Sequence, residues 1–275
     1  MSDRPSDPRL DSPAIARRGS TPPSPTALAR PDEGAFDQHD FRGRLDWGLA
    51  GVRQLAPVVD LVVIVDVLSF STAVSIAVDQ GARVVPYRSR DEGAAAHARS
   101  IGAVLASPNR NTRGPTLSPA SLTTLRSGQV VVLPSPNGGT CAVEAAESGT
   151  MVVVGCLRNA TAVGRLIAGH GGSAAVIACG EAWPDRSLRP AVEDLLGAGA
   201  ILAAMDAAAL SPESRLAAAG FRGLRGSLAS AMRDSASGRE LIAAGFADDV
   251  ELAADLDATD LVPVLVDGAF GGGMG

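Results

Sequence analysis

Four carboxylates stand where the sequence could use them for chemistry: Asp66 closes an apolar run, Glu181 follows another, and Glu193-Asp194 open an Ala- and Gly-rich stretch. An unpaired carboxylate at the end of a buried strand is costly to desolvate. Asp66 therefore either caps the helix start behind it or serves as a magnesium ligand or acid/base group, because hard cations prefer carboxylate oxygens. Glu193 and Asp194 suit the first turn of a helix entered at Pro190. Neighbouring helical residues point about 100° apart, so at most one of the two is expected to face a crevice squarely. Glu181, Asp185, Arg186 and Arg189 set charges of both signs within nine residues, enough to hold a metal with the acids and an anion with the arginines.

A second kind of chemistry sits in VVLPSPNGGTCA, residues 131–142. Pro, Asn and Gly there can be plain punctuation between a strand and a helix. The same turn can cradle an anion, since a helix start offers unpaired N–H groups at the positive end of its dipole. Ser135, Asn137, Gly138 and Thr140 are the cradle candidates. Ser71 and Thr72 open another helix, where a hydroxyl caps the turn or touches phosphate. Arg158 occupies a strand-to-helix turn suited to an anionic group, beside Asn159, a good N-cap. His39, His97 and His170 have no metal-ligand spacing, and Walker A, GxGxxG and GxSxG patterns are absent. Cys179 has no nearby His to activate it and reads as a small buried hydrophobe.

Positioning these residues requires strands whose ends meet. Short Val/Ile runs at 58–65, 83–86, 103–106, 130–133, 151–154 and 174–178 alternate with helix-like stretches at 71–80, 91–100, 140–148, 160–168 and 191–209. Continuous apolar strands alternating with helices imply a sheet covered on both faces. The expected fold is α/β, a three-layer α/β/α unit of one or two lobes with a mostly parallel or mixed sheet. In such a sheet the ligand crevice lies beyond the carboxyl ends of the strands, where the polar residues above cluster.

The chain has 275 residues, is 46% hydrophobic and only 3% aromatic, and carries a net charge of −6. Such a chain can bury a sizeable core, offers no stacking platform for single-stranded nucleic acid, and disfavours polyphosphate partners. No apolar run approaches the roughly 18 residues of a membrane span. Three cysteines without CxxC spacing suit a reducing, cytoplasmic setting. Seven of the eighteen prolines fall before residue 32, so residues 1–40 are expected to form a disordered tail, 41–270 the α/β domain, and 271–275 a flexible Gly-rich end.

The segments DVLSFSTAV (66–74), LSPASL (117–122), VLPSPNGGT (132–140), GCLRNATAV (155–163), ACGEAWPDRSLRPAVEDLLGAGA (178–200) and SGRELIAAGFADDVELAADLDATDLVPVL (237–265) resemble, in order, the 2-phosphosulfolactate phosphatase family. The resemblance implies a magnesium-dependent phosphatase that converts (R)-2-phospho-3-sulfolactate to 3-sulfolactate, a step of coenzyme M biosynthesis in methanogens. Mg2+ is then assigned to Asp66 with Glu193 or Asp194, the anion to the 135–140 cradle, charge clamping to Arg158, Arg186 and Arg189, and activation of water to Glu181. One departure stands out: Ser69-Phe70 replaces the family's commoner Arg-Ala, which removes a guanidinium that a hydroxyl cannot replace. The alternatives are phosphatase action on another small phosphorylated carboxylic acid, or a noncatalytic anion-binding protein. A homodimer is compatible with either reading.

Overall fold

The computed structural model describes residues 34–88 and 92–272. The expected tail up to Glu33 and the last three glycine-rich positions lie outside the described residues. Residues 34–40 form turns, and Gln38 Nε2 donates to the Leu45 carbonyl, so the expected loose segment gives way to tertiary contacts before residue 40.

The chain runs β1 (Gly43–Trp47), α1 (Gly48–Leu55), β2 (Leu61–Val65), α2 (Phe70–Asp79), β3 (Arg83–Tyr87), α3 (Glu92–Ser100), β4 (Val104–Leu105), β5 (Val130–Pro134), α4 (Gly138–Glu147), β6 (Met151–Val154), α5 (Ala160–His170) and β7 (Ala174–Ala178). It continues through a small hairpin, β8 (Glu181–Ala182) and β9 (Leu188–Arg189), and the helices α6 (Val192–Leu202), α7 (Pro212–Leu224), α8 (Leu228–Asp234), α9 (Ala236–Ala243) and α10 (Ala247–Ala254). The antiparallel pair β10 (Pro263–Val266) and β11 (Ala269–Gly272) closes it.

The sheet is mixed, in the order β1-β7-β2-β6-β10-β11-β3-β5-β4. Two parallel blocks, β1-β7-β2-β6 and β3-β5-β4, are joined by β10 and β11, which pair antiparallel to β6 and β3. Adjacent strands rotate by roughly 20–25°. Accumulated between β2 and β5, that rotation lets loops following strands of opposite sense converge, and the Gly138 N–H behind β5 reaches the carboxylate of Asp66 behind β2.

Alternation along β2 divides the interior. Leu61, Val63 and Val65 join a core with Val163, Ile167, Ile201 and Ala218 of α5, α6 and α7. Val62 and Ile64 join Val52, Val74 and Ala142 of α1, α2 and α4 on the other face. These are the outer layers of a three-layer α/β/α unit, with fully buried strands built from continuous Val/Ile runs.

Three boundaries differ from expectation. The strand expected over 58–65 starts at Leu61, as β2, because Ala56–Val58 turns with Pro57 in a 3-10 segment and the Asp60 carboxylate accepts from Ser173. The helix expected over 191–209 stops at Leu202, and Asp206 caps a separate turn through the Ala208 N–H. The C-terminal segment is strand up to Gly272, so the start of the expected flexible end is ordered by pairing.

The α6–α7 contact depends on small residues. A methyl group at Gly199 would stand 2.2 Å from the Ala217 carbonyl oxygen, whereas one at Gly220 meets nothing within 4 Å. Gly199→Ala is expected to destabilise by about 1–3 kcal/mol through overpacking and Gly220→Ala to be neutral or stabilising by up to about 1 kcal/mol, as measured by denaturant unfolding of the two variants.

Candidate active site

The site grows from the junction after β2. The Asp66 N–H donates to Ser71 Oγ, and Ser71 Oγ donates to the Ile64 carbonyl, both at 2.9 Å; Thr72 Oγ1 donates to the Val67 carbonyl at 2.7 Å. These buried hydroxyls brace the turn, so the phosphate contact considered for Ser71 and Thr72 is replaced by backbone partners. The turn in turn aims the Asp66 carboxylate. Its Oδ1 accepts the Phe70 N–H at 3.2 Å, and its Oδ2 accepts the Gly138 N–H at 2.8 Å and faces Ser135 Oγ at 3.5 Å.

Both partners of Asp66 are helix-start amides, of α2 and α4, which favour negative charge. The VVLPSPNGGTCA turn therefore does bind an anion at its helix start, and that anion is the protein's own Asp66. Gly138 is required there, because a Cβ would lie 2.7 Å from Asp66 Oδ2 and 2.6 Å from the Phe70 ring. Thr140 Oγ1 donates to the Ser135 carbonyl within its own turn and to the Arg88 carbonyl. Asn137 does not cap α4; its Nδ2 donates to Glu181 Oε2 at 2.9 Å.

Three further acids surround Asp66. Asp194, in the first turn of α6, accepts the Val67 N–H at 2.7 Å and the Gly180 N–H at 2.8 Å. It thereby pins the loops after β2 and β7 to one helix. Glu193 beside it is 2% exposed, and its Oε2 has no hydrogen-bond partner among the described residues. Burial pushes the Asp66 carboxyl above the ordinary carboxylate range, against the lowering effect of the Gly138 and Phe70 amides. Burial raises Asp194 far more, reinforced by the charges of Asp66 and Glu193. The half-buried Glu181 is pushed up to about 7, first by burial and then by Asp66. Among the described residues no group of three His, Cys, Asp or Glu side chains is arranged to hold a metal by itself. Backbone amides engage both oxygens of Asp194 and both of Asp66, so the buried carboxylate oxygen left without a donor among the described residues is Oε2 of Glu193.

The expected clamping arginines separate. Arg158 is buried against Asp79, Asp255 and the Leu252 carbonyl, each at 3.4–3.5 Å, so it ties α2 to the end of α10 and does not act as a clamp. Asn159 is fully buried, accepting from the Cys156 N–H and donating to the Val154 and Leu261 carbonyls; it closes its own turn. Arg186 is exposed at the tip of the β8–β9 hairpin with φ +68°. Arg189 stays near the acids: its charge acts on Glu181, its Nη2 donates to Ser237 Oγ at 3.1 Å, and its guanidinium lies 5.8 Å from the Trp183 ring.

Sequence reading missed Arg110. Its guanidinium pairs with Asp249 at 2.9 Å and donates to Ser69 Oγ at 3.0 Å, and its charge acts on Asp66. The guanidinium absent at position 69 is thus met, in space, by one from the loop behind β4. The signal was available: the residues after 103–106 read SPNRNTRG, a polar strand-end loop like those singled out elsewhere. Cys179 and Cys141 are buried, and burial holds the Cys179 thiol well above its usual range, which suits a packing role.

Among the described residues no helix is long and apolar enough to cross a membrane. A model of the 2-phosphosulpholactate phosphatase family matches residues 52–268, from α1 to the turn before β11. A protein of Deinococcus radiodurans, named probable 2-phosphosulfolactate phosphatase, is 30% identical over 220 residues, covering 76% of this chain and 89% of that protein. Every acid gathered around Asp66 lies inside the matched span, and the chain belongs to the 2-phosphosulfolactate phosphatase family, a family of phosphoric monoester hydrolases.

Proposed function

We propose that this phosphatase releases phosphate from (R)-2-phospho-3-sulfolactate, leaving 3-sulfolactate, and that it works with Mg2+. The observation that carries the reading is the partnerless, buried Oε2 of Glu193, in a site where the charges of Asp66 and Glu193 both raise Glu181. A buried carboxylate oxygen without a donor calls for a cation. Glu193 and Asp66 would hold Mg2+, which takes one or two carboxylates and completes its shell with water and substrate phosphate oxygens. When bound, the ion neutralises charge on the phosphoryl oxygens.

The chain's own residues supply the remaining steps. Water attacks phosphorus as Glu181 accepts its proton, the phosphorus–oxygen ester bond breaks, and the leaving oxygen takes up a proton from solvent, so that phosphate and the hydroxy acid depart. A base poised near neutrality is suited to that role, and the Asn137 amide fixes its Oε2. The guanidinium of Arg189 sets positive charge near Glu181 and that of Arg110 near Asp66, charge that an anionic ester needs among these acids. Ser69 in place of the family's commoner arginine favours a second reading, another small phosphorylated carboxylic acid as substrate.

A phosphate-release screen separates these readings. Against phosphosulfolactate, phospholactate, phosphoglycerates and an aryl phosphate, kcat/KM is expected to be highest for phosphosulfolactate by about tenfold or more, the scale that a matched charged contact confers, and to require Mg2+. Equal turnover of all of them would exclude a dedicated sulfonate pocket.

Metal and base are tested together without relying on turnover. In metal-free protein the Glu181 carboxyl is expected to titrate near 7 by carbon-13 NMR. Added Mg2+ should lower that value, because a cation offsets the repulsion from Asp66 and Glu193. Glu193→Gln should itself lower it by removing one of those charges, and should weaken the Mg2+ response about tenfold or more. A titration indifferent to Mg2+ would move the metal elsewhere.

A further inference from the structure

We propose that Arg110 is the specificity residue for the substrate's second negative group, the sulfonate or carboxylate beside the phosphate ester; the inference rests on the function proposed above and names the contact that sets its substrate class. Arg110 comes from a largely exposed loop, yet its side chain is only 19% exposed. Three residues hold it. Asp249 of α10 accepts from Nη1 at 2.9 Å, Ser69 at the start of α2 accepts from Nη2 at 3.0 Å, and the Phe246 ring lies 5.6 Å from the guanidinium carbon.

Pairing with Asp249 accounts for one donor of Arg110. The Oδ1 of Asp249 accepts Ser118 Oγ at 2.6 Å and the Ala120 N–H at 3.1 Å, which leaves Oδ2 to the guanidinium. What the pairing does is fix the guanidinium against Ser69, three residues from Asp66. A guanidinium has five N–H donors in a rigid fork; Asp249 and Ser69 take two. The rest remain for a planar or tetrahedral oxyanion, which such a fork binds in bidentate fashion.

The charge distribution gives the contact its specificity. Asp66, Glu181 and Glu193 repel a molecule with two anionic groups unless each meets a cation. The guanidiniums of Arg110 and Arg189 approach the acids from separate elements, one held by α10 and one by Ser237 of α9. An ester bearing a phosphate alone can do without one of them; an ester bearing a second anion cannot.

The test compares wild type, Arg110→Ala, Arg110→Lys and Asp249→Asn on phosphosulfolactate and on p-nitrophenyl phosphate, which lacks the second anion. Arg110→Ala is expected to raise KM for phosphosulfolactate roughly 30-fold or more, the scale of an unpaired buried charge contact, with kcat within about threefold. For p-nitrophenyl phosphate the loss in kcat/KM should be at least about tenfold smaller than for phosphosulfolactate. Lysine should restore part of the loss because it keeps charge without the fork, and Asp249→Asn should give the same KM-selective pattern more weakly. Equal losses on both substrates, or no loss, would overturn the assignment. Calorimetric binding of 3-sulfolactate keeps the two readings distinct. If wild type hydrolyses no phosphosulfolactate, the proposed function fails, and Arg110 still stands if its removal abolishes sulfolactate binding and falls if binding is unchanged.

Discussion

The structure depends on one carboxylate held between two helix starts. Asp66 ends β2, and its oxygens accept the first amides of α2 and α4. Hydrogen bonds to a charged group contribute roughly 1.5–3 kcal/mol each, while desolvating the ion costs several kcal/mol. Burial wins here, since the carboxyl stays above its ordinary range despite both amides. The same bond joins the two parallel blocks of the sheet, which run in opposite senses through β10 and β11. A charge that stays incompletely compensated is thus built into the joint that sets the site's geometry.

Asp194 repeats the device at the other side, drawing the loops after β2 and β7 onto α6. With Asp66 and Asp194 both engaged by amides, the two acids differ from Glu193 and Glu181 in what they can still do. Among the described residues Glu193 retains an oxygen without a partner, and Glu181 has the Asn137 amide on Oε2 and a pKa near neutrality. Adjacent residues of one helix turn therefore take different roles, as helical geometry requires: side chains about 100° apart cannot share an environment.

The sequence made the strand ends legible because parallel strands buried on both faces are continuous apolar runs, and β2, β5, β6 and β7 begin or end within a few residues of the Val/Ile runs. It could not give strand sense. The reversal between blocks comes from β10 and β11, a short pair that reads as PVLVDGAFGG and whose place in the sheet is a long-range pairing. Helices α7 to α10 escaped notice because their apolar content is low, and α8 to α10 are also short, at seven or eight residues. At the site, residue types were readable and orientations were not. Arg158 and Glu193 look equally functional in sequence, yet Arg158 faces Asp79 and Asp255, and Glu193 faces the acids. Arg110 was hidden because its importance comes from α10, 139 residues away in the chain.

That distance explains what the helical segment without strands of its own contributes. Its α9 supplies Ser237 to Arg189 and its α10 supplies Asp249 to Arg110, so both guanidiniums near the acids are restrained from the same stretch of chain. Long cationic side chains lose up to about 2 kcal/mol of rotamer entropy on being fixed. Fixing them before a ligand arrives removes that loss from the binding step. The strand ends concentrate the negative charge of the site, and α9 and α10 determine where positive charge can meet it.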